Sequence, residues 1–191
     1  LKSVNHPNVV SYVDDGEFID NGVKYLYVVM DYVDGEDLSQ YIKNNDISID
    51  KSVSIFTDIL HGVNAIHVQH IVHRDLKPAN IYITKTGEVK ILDFGLSKLI
   101  DFTSITSTGA EIGSPLYMSP EQVKDGKNID YRSDYYAMGI TVLSLINGCN
   151  DVFEGMDEKT IVHCTAEGNI PLLNPEKFVN TTVEQLSLID R

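Results

Sequence analysis

Positive charge is scarce in this sequence. Fifteen Lys and Arg stand against 28 Asp and Glu among 191 residues, a net charge of −13. Holding a phosphate backbone needs a basic face, and none is visible, so no nucleic-acid partner is expected. The same deficit argues against docking on an anionic membrane surface. Cysteine is nearly absent as well. Cys149 and Cys164 cannot build a disulfide scaffold, which points to reduced thiols and a cytoplasmic location. Long apolar runs are missing: the most apolar, Tyr135 to Ile146, is twelve residues, against the roughly 20 that a spanning helix needs. That run reads instead as a buried helix. There is no internal repeat, low-complexity tract or signal-peptide pattern. The chain opens on Leu rather than Met, so a start further upstream is expected. What is present, 42% hydrophobic and 23% charged residues, suits one globular domain with a real core.

The first 50 residues carry the most acid, three lysines against ten carboxylates. Val9–Asp14 and Tyr25–Tyr32 are rich in Val and Tyr and read as strands, with a hairpin turn at Asp20-Asn21-Gly22. Asp34-Gly35 breaks the chain before a short helix near Leu38–Lys43. Ser52–His70 has the spacing of a long amphipathic helix, with Phe56, Ile59, Leu60, Val63 and Ile66 on its buried face and Asp50 or Ser52 as its cap. Two short strands follow, Ile81–Ile83 and Val89–Leu92, joined by Lys85-Thr86-Gly87-Glu88. Residues 97–115 form a polar loop rich in Ser, Thr and Gly, and so long a loop in a compact domain is usually functional. Helices are expected over Ser133–Asn147, Asp157–Glu167 and Thr182–Asp190. Strands early and helices late predict an α+β arrangement dominated by helices.

The chemistry concentrates in His73-Arg74-Asp75-Leu76-Lys77-Pro78-Ala79-Asn80. Asp93-Phe94-Gly95 follows, then Gly113-Ser114-Pro115-Leu116-Tyr117-Met118-Ser119-Pro120-Glu121. One loop thus carries a carboxylate, an ammonium and an amide, and a second carboxylate ends a strand just before a Gly. Phosphoryl transfer asks for such a set: a carboxylate to orient the attacking hydroxyl, a cation to offset charge on the moving group, and oxygen ligands for Mg²⁺. Each residue taken alone also suits an ordinary turn. His67, His70 and His73 stand three apart, but with no completing cysteine nearby a zinc site is not expected.

In their order and spacing these segments resemble the eukaryotic-type Ser/Thr protein kinase family, bacterial members included, over essentially the whole chain. The resemblance implies ATP and Mg²⁺ as cofactors and protein substrates bearing Ser or Thr. It implies Asp75 as catalytic base, Lys77 beside the γ-phosphate, and Asn80 and Asp93 as Mg²⁺ ligands. Met30 would be the gatekeeper, the backbone of Asp31 and Val33 would meet adenine, Glu36 or Asp37 the ribose, and Tyr82 the adenine floor. Arg74 and Lys98 would hold a phosphate on the loop that offers Thr103, Ser104, Thr106, Ser107 and Thr108. Ser114 stands at the hydroxyl position of the substrate loop. Glu121 would pair with an arginine at or beyond the end of the chain, and Asp134 would hold the catalytic-loop backbone. Leu1, Tyr12, His73 and Phe94 would stack as one column.

The fold implied is kinase-like. A partial small lobe over residues 1–32 would hold the end of the family's helix C and its fourth and fifth strands. A hinge would follow at 33–35, and most of a helical large lobe over 36–191. The sequence has no Gly-x-Gly-x-x-Gly and no lysine in a Val-Ala-x-Lys setting. The isolated 191 residues are therefore expected to be inactive. The alternative is a non-catalytic pseudokinase or scaffold remnant; a small-molecule phosphotransferase fits less well, because the loop and Ser-Pro-Glu segments serve protein substrates.

Overall fold

The computed structural model describes residues 4–92, 115–124, 129–150, 153 and 155–168. Its first feature is an antiparallel hairpin of β1 (Tyr12–Asp20) and β2 (Val23–Met30). Asn21 and Gly22 both take positive φ, 48° and 78°, as a two-residue turn matching strand twist requires. The turn sits where the sequence placed it, but the first strand does not. Pairing propagates from the turn, Asp20 to Val23 and on to Tyr12 opposite Met30, so the acidic stretch becomes strand. Val9 and Val10 are buried in the core instead, Val9 bridging to Ile91. No third strand joins this hairpin among the described residues, and Val13, Ile19 and Leu26 stay exposed on it.

Gly35 does not simply break the chain. It begins β3 (Gly35–Asp37), which pairs antiparallel with β4 (Ile81–Thr84), which pairs in turn with β5 (Val89–Ile91). The helix α1 (Leu38–Asn44) follows at once, capped by Asp37, whose carboxylate accepts from the Gln40 N–H at 3.0 Å. The long helix α2 spans Ile49–Val68. Its cap is Ser48 rather than Asp50 or Ser52, because Ser48 has the extended backbone from which its hydroxyl reaches the Lys51 N–H. The buried face is Ser52, Ile55, Ile59, Gly62, Val63 and Ile66. Phe56 only packs on its margin and Leu60 is exposed: the stripe that meets the core runs through Ile55, Ile59, Gly62 and Ile66, so these two apolar residues fall to one side of it.

Beyond residue 114 come α3 (Pro120–Lys124), α4 (Tyr131–Asn147) and α5 (Glu158–Glu167). Asp130 caps α4, and Asp134 sits in its first turn rather than at its start. The helix is buried as the sequence suggests, but polar residues share that burial: Ser133, Asp134, Thr141 and Ser144 are among the residues of α4 that lie inside. Asp157 caps α5 through the Thr160 N–H at 3.0 Å. The core gathers the inner faces of α1, α2, α4 and the three-stranded sheet around Leu38, Ile59, Ile66, Leu76, Ile81 and Ile91. A smaller cluster of Tyr117, Ile140, Phe153 and Ile161 joins α4 to α5. This is an α+β arrangement, with the strands early in the chain and the helices late. No described helix is long and apolar enough to cross a membrane. Leu1, Phe94, the loop 97–114 and the expected helix Thr182–Asp190 lie outside the described residues.

Candidate active site

The loop between α2 and β4 is built around one buried carboxylate. Asp134 is 1% exposed. Its Oδ2 accepts from the His73 N–H at 2.8 Å and lies 2.7 Å from His67 Nε2; its Oδ1 accepts from the Arg74 N–H at 2.8 Å. Three donors converge on two oxygens, which is how a carboxylate is tolerated without water. The His73 ring is fully buried; its Nε2 lies 2.9 Å from the Leu92 carbonyl and its Nδ1 accepts from the Asp75 N–H at 3.4 Å. The tautomer is thereby defined, with the proton on Nε2. Arg74 takes φ +71°. A side chain of that size rarely sits in the left-handed region, at a cost of roughly 1–3 kcal/mol unless its surroundings enforce it. Here the N–H is held by Asp134 and the carbonyl accepts from Gln122 Nε2 at 2.7 Å.

This clamp presents Asp75. Its side chain is 45% exposed. Lys77 Nζ lies 3.1 Å from Oδ1 and 2.8 Å from Oδ2. Asn80 Nδ2 donates to the Asp75 carbonyl at 2.7 Å and to its Oδ2 at 3.0 Å. Asp75, Lys77 and Asn80 thus form one cluster. With both amide hydrogens of Asn80 committed to Asp75, the lone pairs of its Oδ1 are what remains to bind a cation. A hard amide oxygen suits Mg²⁺, so the residues present fit that ion. Asp93 lies outside the described residues, but Leu92 before it is pinned: its N–H donates to the Asn80 carbonyl at 2.9 Å.

The residues assigned to a nucleotide are less closely gathered. Met30 and Val33 pack against the core. Asp31 donates its N–H to the Ser11 carbonyl at 3.0 Å, so its carbonyl is the group left for an adenine. Asp37 is committed to capping α1 and also accepts from the Ser39 hydroxyl at 2.5 Å, whereas Glu36 accepts from Asn44 Nδ2 at 3.1 Å. Of the two, Glu36 is the freer. Tyr82 lies opposite Asp37 in the sheet register. A cavity of about 350 Å³ touches Asp31 and Val33, but Val9–Ser11 and residues from Thr84 to Lys90 complete it, not Met30, Glu36, Asp37 or Tyr82. Lys85 pairs with Asp34 across its rim at 2.8 Å, and that carboxylate raises the lysine's pKa.

Glu121 has no arginine partner among the described residues. Ser133 donates its hydroxyl to Glu121 Oε1 at 2.5 Å, and the Ser119 hydroxyl lies 3.0 Å from Ser133 Oγ. Burial pushes the Glu121 carboxyl up, but hydrogen bonds from Ser133, its own backbone N–H and Ser119 outweigh that and hold it below the ordinary glutamate value. Lys98, Thr103, Ser104, Thr106, Ser107, Thr108 and Ser114 lie outside the described residues. Of the basic pocket expected with them, Arg74 is present, its Nε buried with no hydrogen-bond partner among the described residues. The histidine trio is not gathered around a shared centre: His67 turns to Asp134, His73 to Leu92, and among the described residues no group of acids, histidines or cysteines has a metal-binding arrangement. Two members of the site carry no signal in the sequence: the spacing of His67 suggests only a metal ligand, and Gln122 simply follows Glu121.

A family model described as protein kinase domain matches residues 1–187. The chain is 39% identical over 180 residues to a probable serine/threonine-protein kinase PknB of Lactococcus lactis, covering 92% of this chain and 28% of that protein. It is 38% identical over 148 residues to the serine/threonine-protein kinase PknB of Mycobacterium leprae, covering 76% and 24%. It is 40% identical over 147 residues to the serine/threonine-protein kinase PrkC of Bacillus subtilis, covering 76% and 22%. The chain spans about a quarter of the length of these curated relatives.

Proposed function

The chain belongs to the protein kinase family, and from that premise we propose that the protein carrying it transfers the γ-phosphoryl group of ATP to Ser and Thr hydroxyls of protein substrates. The observation that carries this reading is the carboxylate of Asp75, held by Lys77 and Asn80 on a loop that Asp134 clamps. Bound Mg·ATP supplies the activated phosphoryl group and offsets its charge. Asp75 would orient the attacking hydroxyl and accept its proton as the O–P bond to the γ-phosphorus forms and the bridging β–γ P–O bond breaks, with ADP as the leaving group. Lys77 brings an ammonium to the same side. Asn80 Oδ1, with Asp93, offers the hard oxygens that hold the metal. The Asp31 carbonyl, Val33 and Tyr82 serve the adenine, under the gatekeeper Met30, and Glu36 serves the ribose. A cytoplasmic location for the domain is part of this proposal, supported by its two cysteines being free. Residues 1–32, 33–35 and 36–191 are read as small-lobe remnant, hinge and large lobe.

The buried, unpartnered Nε of Arg74 supports a phosphate-bearing residue between Thr103 and Thr108 as its partner, with Lys98 as second ligand. As an isolated polypeptide, the 191 residues are expected to bind Mg·ATP poorly. They contain no glycine-rich phosphate motif, and positioning is most of this chemistry. Calorimetric titration of that polypeptide checks this, and micromolar affinity would overturn it. The test of the function is Asp75→Asn in the full-length protein, with radiolabelled ATP and a generic protein acceptor. Transfer should fall by roughly 10²–10⁴-fold. Wild-type protein that transfers nothing would favour the scaffold reading, and an Asp75→Asn variant with full activity would remove Asp75 from its role.

A further inference from the structure

Asp75 follows a residue held in an unfavourable backbone conformation, so whatever fixes that residue also aims the carboxylate. The Arg74 N–H is held by Asp134 at 2.8 Å, within the loop's own scaffold. Its carbonyl is held from elsewhere, by Gln122 Nε2 at 2.7 Å. The other end of the same amide, Gln122 Oε1, accepts from the Ser119 N–H at 3.0 Å and lies 3.1 Å from the Ser119 hydroxyl. Ser119 is itself fully buried and joined through Ser133 to Glu121. The amide of Gln122 is therefore a bridge. One end is anchored on buried Ser119, just before α3, and the other grips the peptide bond that enters Asp75. The two contacts on Arg74 oppose each other across one residue, so removing the carbonyl contact frees ψ of Arg74, and with it the direction of Asp75.

Resting on the kinase reading above, we infer that Gln122 is a positioning residue for Asp75, transmitting the placement of the segment after the substrate loop to the catalytic loop. It touches no reacting atom. Its effect runs through the Arg74 carbonyl, and so falls on turnover rather than on ATP binding.

Gln122→Glu separates the two ends of the bridge in the full-length protein. The carboxylate still accepts from Ser119, but has no hydrogen to give Arg74. In this variant kcat should fall roughly 10–100-fold, as for a displaced reacting group, with KM for ATP within about twofold of wild type. The loss should shrink as the pH is lowered and the new carboxyl gains the proton that lets it donate again. Lys124→Ala, exposed on the same helix, should leave kcat unchanged. Hydrogen exchange supplies a readout that needs no activity: in Gln122→Glu, amides of residues 73–76 should exchange about tenfold faster, a local opening of the loop. A Gln122→Glu enzyme within twofold of wild-type kcat overturns the inference. So does one whose kcat, ATP affinity and melting temperature all decline together without pH recovery, which would mark a purely structural role. Unchanged exchange at 73–76 overturns it whether or not the protein is a kinase, whereas wild-type inactivity with accelerated exchange in the variant overturns only the kinase reading.

Discussion

Replacing Asp134 by Asn is the sharpest probe of the loop. The substitution keeps the shape and removes one acceptor. Asp134 Oδ2 faces two donors, the His73 N–H and His67 Nε2, and Oδ1 faces one, the Arg74 N–H. The better amide orientation keeps its oxygen on the Oδ2 side and turns its NH₂ against the Arg74 N–H. One charge-assisted hydrogen bond, about 1.5–3 kcal/mol, is then lost, and a buried donor is left facing another donor, about 1–3 kcal/mol more. Stabilisation gained by no longer burying a charge offsets part of this, leaving about 2–4 kcal/mol. For a domain of this size that corresponds to a melting temperature lower by roughly 5–15 °C. Because the donor left unsatisfied belongs to Arg74, activity should decline even below the new melting temperature. Thermal melting followed by circular dichroism, with phosphoryl transfer at 15 °C, measures both. Asp130→Asn, at the exposed cap of the same helix, should shift melting far less, since its ion pair with Arg132 lies in water. If Asp134→Asn melts within 2 °C of wild type, the three-donor clamp is not what holds the loop.

Two further substitutions test packing and titration. Gly62 lies in α2 where an added Cβ would stand 2.7 Å from Ile91 Cδ1 and 2.9 Å from the Asn8 carbonyl. Ala there gains about 1 kcal/mol of helix propensity and meets about 1–3 kcal/mol of overpacking; since backbone cannot swing aside, Gly62→Ala should lower the melting temperature by a few degrees, and a rise would refute the packing argument. Glu121 has a folded pKa held below its ordinary 4.5. Its contribution to stability is therefore fully present above about pH 5 and is lost as the pH falls through the folded value. Urea denaturation of wild type and Glu121→Gln from pH 7 to pH 3 should show a stability gap that is flat above pH 5 and narrows below it; a gap that widens on acidification would reverse the sign.

How far the sequence reached depends on the range of the interaction concerned. The Asn21-Gly22 turn, α1, the two strands of the second hairpin and α5 were legible because turn chemistry and apolar spacing are local. The boundary errors have the same origin: Ser48 beats Asp50 as a cap only through backbone geometry, and Val9 leaves its strand for the core because Ile91, distant in sequence, is there to meet it. The motif segments named Asp75, Lys77 and Asn80 as a chemical set, and chain proximity alone brings these three together.

Tertiary structure decided what surrounds them. Asp134, 59 residues beyond Asp75, and Gln122, 48 residues beyond Arg74, meet the loop only after α2, α3 and α4 have packed. His67 changed from a candidate metal ligand to a partner of Asp134 for the same reason. Sequence by itself determined which functional groups are available and which short elements carry them, because propensity, turns and motif spacing act over a few residues. The clamp on Arg74, the commitment of Asp37 to a cap and the burial of polar residues along α4 were fixed only when distant donors and acceptors were forced to satisfy one another in a space without water.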